Sequence, residues 1–573
     1  MSQNAATVPG PGEAPLPAAN AAVLLRGNAR DPERRDRPAI HFEDRVWTHG
    51  EYFEECCRWA NLFLSRRRSD QPFHIGVLLD NVPEYLFAFG GAALTGATVV
   101  GANHTRRGEH LVRDLRHTHC GLLVYEPRHA ELIEPIHDDL GLDPADILVV
   151  GGSLDDALNA QSADDAGLEP DVDDTWALIF TSGTSDAPKA VICSQRRLLV
   201  TGSRMRIMLD LGPDDIGYVC MPLFHSNAVM VGWAPSIIAG ASVALARKFS
   251  ASGWLPDVRR YGATYFNYTG KPLAYILATP EQPDDSDNPL RVAYGNEGAP
   301  QVVEEFGRRF GVRVIDAFGA TEGGLAVTRV DNPPPGALGL APDNVKVVDE
   351  DGQVLPRATF DANGRLVDPQ ACVGEIVNVA GVGPFEGYYN NDEANARSTR
   401  NGWYWSGDLG YLDEQGFLYF AGRNADWIRV DGENFPAGPI ENAVARHPDV
   451  LMSAVYGVPD AEAGDQVMTT VVLRDGARFD PEQFAGWIDG QHDLGPKWRP
   501  RYVRVTDAMP TSPSNKILKR ELVHDKYRPD RTQPDPIWHR PRGAAAYEPF
   551  TDKEAEALFQ ELRAHGRDRF WDL

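Results

Sequence analysis

The stretch Thr181-Ser182-Gly183-Thr184-Ser185-Asp186-Ala187-Pro188-Lys189 gathers hydroxyls, a glycine and a lysine in one short loop. Small hydroxylated residues let backbone N–H groups approach an anion closely, and the lysine adds a mobile positive charge. The guest such a loop suits is a polyphosphate. It is not the GxxxxGK[ST] pattern, because no glycine precedes Lys189 and Ala190 follows it. Read alone, a Ser/Thr/Gly loop after a strand is equally an ordinary surface turn. Other residues are ambiguous in the same way. Asp408 is a potential acceptor or a turn residue, and Arg423 a ligand or a surface ion pair. Lys516 sits in a Ser/Pro loop where an exposed lysine is ordinary, and His225 follows an apolar strand and reads also as a core histidine.

These residues need elements to hold them. The apolar run Trp176 to Phe180 reads as a buried strand delivering the loop. Before it, Tyr52 to Ser65 has helical spacing, Ile75 to Leu79 reads as a strand, Tyr85 to Leu94 as a helix ending at Gly96, and Thr98 to Val100 as a strand. Such alternation implies a parallel sheet covered by helices. The acidic segment Gly152 to Asp174 reads as a linker or surface excursion. Ser194 can cap a helix through Arg197. Strands are predicted at Val243 to Leu245, Tyr265 to Asn267 and Val312 to Ile315, the last running into Asp316-Ala317-Phe318-Gly319-Ala320-Thr321-Glu322-Gly323-Gly324. Ligands of open α/β sheets collect beyond the carboxyl ends of strands, so this turn is placed to meet the first loop. From Ala337 to Tyr419 the texture changes to short β runs. After Gly422 it alternates again: helix at Ile440 to His447, strands at Leu451 to Gly457 and Val467 to Leu473, helix at Phe484 to Ile488. A Pro-rich stretch then leads to a last helix opened by a Thr551/Glu554 capping box and stopped at Gly566. The fold class is α/β: a large multi-part domain over 21–422 with parallel sheets and a β-rich portion, and a smaller mobile α+β domain over 423–530. Residues 1–20 read as a disordered leader and 531–573 as an extension.

With 56 Lys and Arg against 82 Asp and Glu, the net charge of −26 argues against nucleic acid or an anionic membrane as the main partner. The six cysteines lack CxxC spacing and fit a reducing cytoplasm. No secretory signal is visible. The span Ile216 to Ala246 lacks Asp, Glu, Lys and Arg, but His225, Asn227 and Pro235 suit buried sheet and turn better than a bilayer helix. His110, His117 and His119 lack the carboxylate and second cysteine of a metal site.

Several separated motifs, including Met221-Pro222-Leu223-Phe224-His225-Ser226 and Tyr294-Gly295-Asn296-Glu297-Gly298-Ala299-Pro300, occur in one order over about residues 40 to 525. The chain thereby resembles the adenylate-forming (AMP-binding) superfamily, and within it acyl-CoA synthetases of the fatty-acid-transport-protein type. The resemblance implies ATP, Mg²⁺ and CoA as cofactors and a carboxylic acid, apolar or aromatic, as substrate. By it, Thr181, Ser182, Gly183, Thr184, Ser185 and Lys189 would hold the ATP phosphates. Gly298, Ala299, Pro300, Phe318, Gly319 and Ala320 would line the nucleotide. Thr321 would bind the α-phosphate, Glu322 the Mg²⁺, and Asp408, with Arg423 assisting, the ribose hydroxyls, since a carboxylate accepts two hydrogen bonds at once. Lys516 would be the catalytic lysine. His225, Trp233, Tyr268 and Ala317 would border the acid, with His225 a gate, and Gly432 and Glu433 would meet CoA. A second copy of the chain, as a homodimer, is a further expectation.

The sequence departs from the family at four places. Asp186 puts a negative charge in the phosphate loop, where like charges about 4 Å apart cost on the order of 1–4 kcal/mol. Ala190 replaces a common glycine. Asn515 replaces the glycine before Lys516, and asparagine tolerates left-handed backbone angles. Ala425 stands where the hinge usually has Asp or Lys. Two alternatives therefore stay open: ATP activation with another acid or acceptor, such as nitrite in a diazo-forming reaction or a carrier-protein thiol, and a non-catalytic nucleotide-binding protein.

Overall fold

The computed structural model describes residues 14–572 apart from 182–187, 270–271, 297, 299, 328–329, 331–332, 335, 363, 365, 424–426, 431–432, 462–464 and 513–515. The side chains of 300, 423, 427, 433, 434, 569 and 572 are likewise outside the description. Ser182, Gly183, Thr184, Ser185, Asp186, Ala299, Ala425, Gly432 and Asn515, and the side chains of Pro300, Arg423 and Glu433, therefore lie outside the described residues.

Two largely parallel sheets build the first half of the chain. One runs, edge to edge, Ile147–Val149, Leu122–Tyr125, His74–Leu78, Thr98–Gly101, Thr175–Phe180 and Ala190–Ser194, with only the last pair antiparallel. The other runs Arg313–Asp316, Val292–Asn296, Tyr265–Thr269, Ile216–Val219, Ser242–Leu245, Pro38–Phe42 and Arg45–Thr48, parallel up to its terminal hairpin. Many of these strands are covered on both faces, which is why they read as unbroken apolar runs. The covering helices start and stop where local chemistry requires. His49–Arg66 opens on a Thr48/Glu51 capping box, and Pro83–Thr95 has proline in its first turn and ends at Gly96 with φ +73°. These two helices approach so closely that a Cβ on Gly90 would lie 2.0 Å from Cys56 Sγ.

The uncharged span after Ile216 folds as strand, π-helix (Asn227–Trp233), short helix (Ala234–Ala239) and strand. Among the described residues no helix is long and apolar enough to cross a membrane. The acidic segment before the phosphate loop forms a strap with its own helix, Ser153–Asn159. Asp165 in that strap accepts from Arg26 Nε at 2.7 Å, and Asn61 Nδ2 donates to the Ser162 carbonyl at 2.8 Å.

The β-rich part is an antiparallel sheet ordered Ala337–Leu340, Phe417–Arg423, Trp403–Leu412, Gly374–Asn378 and Val345–Val348. The small α+β part carries Val450–Pro459, Asp465–Leu473 and Tyr502–Val505 with helices Ala437–Ala445 and Pro481–Asp489. The Pro-rich stretch does more than lead to the last helix. It contributes Ile537–His539, which pairs antiparallel with Tyr502–Val505 and is followed in the sheet by Glu548–Pro549. The final long helix, Asp552–Ala564, has the Thr551/Glu554 capping box.

Trp233 lies in the core of the large part. It is 1 % exposed and stacks on Trp176 at 5.7 Å and Phe89 at 5.7 Å, while Phe89 and Trp176 are 4.6 Å apart. Removing so large a ring leaves a cavity the stacked neighbours cannot fill. Trp233→Ala is expected to lower stability by about 3–5 kcal/mol, read as a fall in the urea midpoint of the large domain.

Candidate active site

The phosphate loop leaves Thr175–Phe180 and returns as Ala190–Ser194, and its base is closed by Thr181 N–H donating to the Lys189 carbonyl at 3.0 Å. Ala190, at the position of the usual glycine, is fully buried. A second segment clasps the returning strand. Ile192 N–H donates to the Gly387 carbonyl at 2.9 Å, Tyr389 N–H to the Ala190 carbonyl at 2.8 Å, and Asn391 Nδ2 to the Pro188 carbonyl at 3.0 Å. This register sets Tyr388 beside the loop, its ring 5.5 Å from Lys189 Nζ.

The Thr321–Glu322 turn follows the strand Arg313–Asp316, and other parts of the chain hold it. Tyr388 Oη donates to Glu322 Oε1 at 2.8 Å, and Ser226 Oγ and Thr321 Oγ1 are 3.0 Å apart. The buried Arg197 guanidinium donates to the Thr321 carbonyl and, at 3.0 Å, to that of Ile192. Ser194 caps the helix Gln195–Leu209, which carries Arg197, through the Arg197 N–H at 3.1 Å, as its sequence predicts. Glu322 offers hard carboxylate oxygen in a half-buried setting. That donor set fits Mg²⁺, which takes one or two protein carboxylates and completes its shell with phosphate and water.

Asp316 ties together the loops that follow Val292–Asn296 and its own strand. Its buried Oδ2 accepts from Tyr268 Oη at 2.7 Å and Gly298 N–H at 2.8 Å. A Cβ on Gly298 would sit 2.6 Å from that oxygen, so glycine is required there. Ala317 N–H donates to the Gly295 carbonyl at 2.8 Å and Asn296 Nδ2 to the Gly319 carbonyl at 3.2 Å. Ala320 O accepts from Gly323 N–H at 3.0 Å. The ring of Phe318 lies 6.3 Å from Phe420.

Asp408 is buried and its residue pairs across the sheet with Arg423. Tyr404 reports that the acidic residues converge. Burial first, then the negative charges of Glu322 and Asp408 and the neighbouring Tyr388, push its hydroxyl well above the usual tyrosine range, and Arg197 partly relieves this. Lys516 comes from the small domain, its hairpin closed by Ser512 N–H on the Lys516 carbonyl at 2.7 Å and Lys516 N–H on Ser512 Oγ at 3.1 Å. Its charge reaches His225. Burial, the Lys516 ammonium and His104 together lower the His225 imidazole to about 3. Phe224 carries His225 at 4.5 Å and is itself met edge-on by His104 at 5.2 Å.

The contacts link Thr181 and Lys189, through Tyr388, to Glu322, and Thr321 to Ser226 beside His225; Glu322 and Asp408 both act on Tyr404, and Lys516 acts on His225. Gly298, Ala317, Phe318, Gly319 and Ala320 lie on the loops tied to Asp316 and Asn296. Trp233 and Tyr268 are packed in the core, Tyr268 with its hydroxyl committed to Asp316. His117 and His119 instead contact Tyr389, at 3.0 Å each. Sequence reasoning missed Tyr388, Asp316 and the bracing role of Arg197. Only their placement reveals them, although the apolar-to-acidic step at Asp316 marks a strand's carboxyl end.

Residues 28–389 match the AMP-binding enzyme family and residues 439–516 the AMP-binding enzyme C-terminal domain. The chain is 46% identical over 541 residues to the steroid-22-oyl-CoA synthetase of Rhodococcus jostii (strain RHA1), covering 93% of this chain and 96% of that protein. It is 45% identical over 501 residues to the medium/long-chain-fatty-acid–CoA ligase FadD17 of Mycobacterium marinum, covering 87% and 95%. Among solved structures it resembles ATP-bound MatB from Rhodopseudomonas palustris (TM-score 0.74, 25% identity, 88% of this chain and 98% of that one). It shares the fold of the anthranilate CoA ligase AuaEII in complex with anthranoyl-AMP (TM-score 0.78, 23% identity, 89% and 97%). The chain belongs to the AMP-binding enzyme family.

A histidine lowered from 6.5 to about 3 stays neutral in the folded protein while the unfolded chain takes up a proton. His225 therefore costs no stability above pH 6.5 and removes it progressively as pH falls toward about 3. In urea titrations, His225→Asn is expected to gain stability relative to the parent as pH falls from 7 to 4.5. Parallel curves for the two proteins would show that His225 is not held neutral.

Proposed function

We propose that this protein is an ATP-dependent, AMP-forming ligase that adenylates a large apolar carboxylic acid and transfers the acyl group to CoA. The observation that carries the reading is the 46% identity over 541 residues to a steroid-22-oyl-CoA synthetase, together with Lys516 of the small domain, whose charge is among those acting on His225. A non-catalytic binding protein has no need of a lysine brought in this way. Relatives acting on a steroid acid and on medium- and long-chain fatty acids favour CoA as acceptor over nitrite or a carrier protein, and favour an acid with a large apolar body.

In this reading the acid's carboxylate oxygen attacks the α-phosphorus of ATP, the bond to the bridging oxygen breaks, and pyrophosphate leaves. Negative charge builds on the α-phosphate oxygens during that in-line step. The Lys516 ammonium and the Thr321 hydroxyl stabilise it, and the donors are oriented beforehand rather than recruited during the reaction. Lys189 and the N–H groups of its loop hold the leaving phosphates, and Asp408 accepts from both ribose hydroxyls. Glu322 would hold Mg²⁺, which supplies charge neutralisation to the phosphates when bound. Neutral His225 sits between the nucleotide and acid sides without adding positive charge there. The small domain then moves to admit the CoA thiol, whose sulfur attacks the acyl carbon while AMP leaves and the thiol proton passes to solvent.

The same reading makes this a cytoplasmic protein, in keeping with its six free, buried cysteines. A homodimer belongs to the reading as well and is tested by sedimentation equilibrium.

AMP and pyrophosphate should form with steroid-type or medium- to long-chain acids only when CoA is supplied for turnover. AMP release with nitrite and an aromatic amine instead would overturn the assignment. Lys516→Ala is expected to slow adenylation by about 10²–10³-fold, measured as acid-dependent ATP–pyrophosphate exchange, with ATP affinity within a few-fold of the parent. Undiminished exchange would remove the lysine from the mechanism.

A further inference from the structure

We propose that Tyr388 is a positioning residue that couples the metal-binding carboxylate of Glu322 to the phosphate-loop lysine, Lys189. This deepens, and rests on, the reading of the site given above. One side chain meets two opposite charges. Its hydroxyl donates to Glu322 Oε1 at 2.8 Å, and its ring lies 5.5 Å from Lys189 Nζ. An aromatic face attracts an ammonium, and a phenol donates well to a carboxylate, so tyrosine satisfies both demands where phenylalanine or a serine meets only one.

The residue is also fixed more firmly than a surface tyrosine. It is 4 % exposed, and Phe385 packs on its ring edge-on at 5.0 Å. Tyr388 N–H donates to Asn395 Oδ1 at 2.6 Å, and Asn395 Nδ2 returns a bond to the Tyr388 carbonyl at 2.9 Å. Tyr388 further bridges antiparallel to Val191, on the strand that carries the far end of the phosphate loop. Any shift of that strand therefore moves the ring and, through the hydroxyl, the Glu322 carboxylate. A carboxylate already held in one rotamer loses less freedom when it takes a cation. Tyr388 thereby links how well the loop is set to how tightly Mg²⁺–ATP binds.

The test reads nucleotide affinity rather than turnover, so it is independent of which acid is activated. ATP binding is measured by calorimetry with EDTA and with saturating Mg²⁺, on folded protein verified by an unchanged melting profile. Tyr388→Phe keeps the ring and is expected to reduce the gain in ATP affinity from Mg²⁺ by about ten-fold, with metal-free affinity unchanged. Tyr388→Leu should in addition weaken metal-free ATP binding by about three-fold, through loss of the seat for Lys189. In a Glu322→Gln background, Tyr388→Phe should add no further loss of that gain. A Phe variant with the full Mg²⁺ gain overturns the proposal, as does equal weakening of metal-free binding by Phe and Leu. A parent protein that binds no ATP overturns the reading of the site and this proposal with it.

Discussion

Two residues, Thr321 and Glu322, sit on a turn with little regular structure of its own, and the site depends on how that turn is immobilised. Arg197 reaches it from the helix after the phosphate loop, Ser226 from the start of the π-helix, and Tyr388 from the segment that clasps the returning strand. Each of these is a polar contact in buried or half-buried surroundings, where an unpaired group costs about 1–3 kcal/mol. These contacts fix the turn so that the Thr321 hydroxyl and the Glu322 carboxylate are each held by a partner from elsewhere in the chain. The Arg197 guanidinium acts twice, holding a backbone carbonyl and offsetting the negative charges of Glu322 and Asp408 sensed at Tyr404.

This local balance answers a question raised by the composition. A chain with net charge −26 is a poor general host for a polyphosphate. In the proposed site Lys189, Arg197 and, from the other domain, Lys516 would supply positive charge locally, so that a nucleotide would feel a local rather than a global field. Elsewhere the loops are tied by a buried carboxylate, Asp316, whose Oδ2 accepts from Tyr268 and from the Gly298 N–H.

Much of this was legible in the residues. Strands such as Thr175–Phe180 and His74–Leu78 announce themselves as apolar runs, and the helix caps at Ser194 and Thr551 follow from hydroxyls at fixed offsets. The Thr321–Glu322 turn follows the carboxyl end of its strand, where ligand loops of open α/β sheets gather. Other features depend on tertiary placement. A short uncharged run cannot declare itself a π-helix by periodicity, so Asn227–Trp233 was unreadable as such. Trp233 and Tyr268 look like pocket aromatics in sequence but are engaged with the core and with Asp316. Tyr388 lies far from both of its charged partners along the chain, and no local pattern ties it to them. The Pro-rich stretch hid the strand Ile537–His539, because proline and short length mask the pairing.

The central claim is that residues from the phosphate loop, the Thr321–Glu322 turn, the β-rich part and the small domain act on one nucleotide. A crystal structure with a non-hydrolysable ATP analogue and Mg²⁺ tests it most directly. The account predicts one bound nucleotide with Lys189 at its outer phosphates, Thr321 and Lys516 at the α-phosphate, Glu322 at the metal and Asp408 on the ribose. A nucleotide seated elsewhere, or one that Asp408 and Thr321 do not touch together, would contradict it.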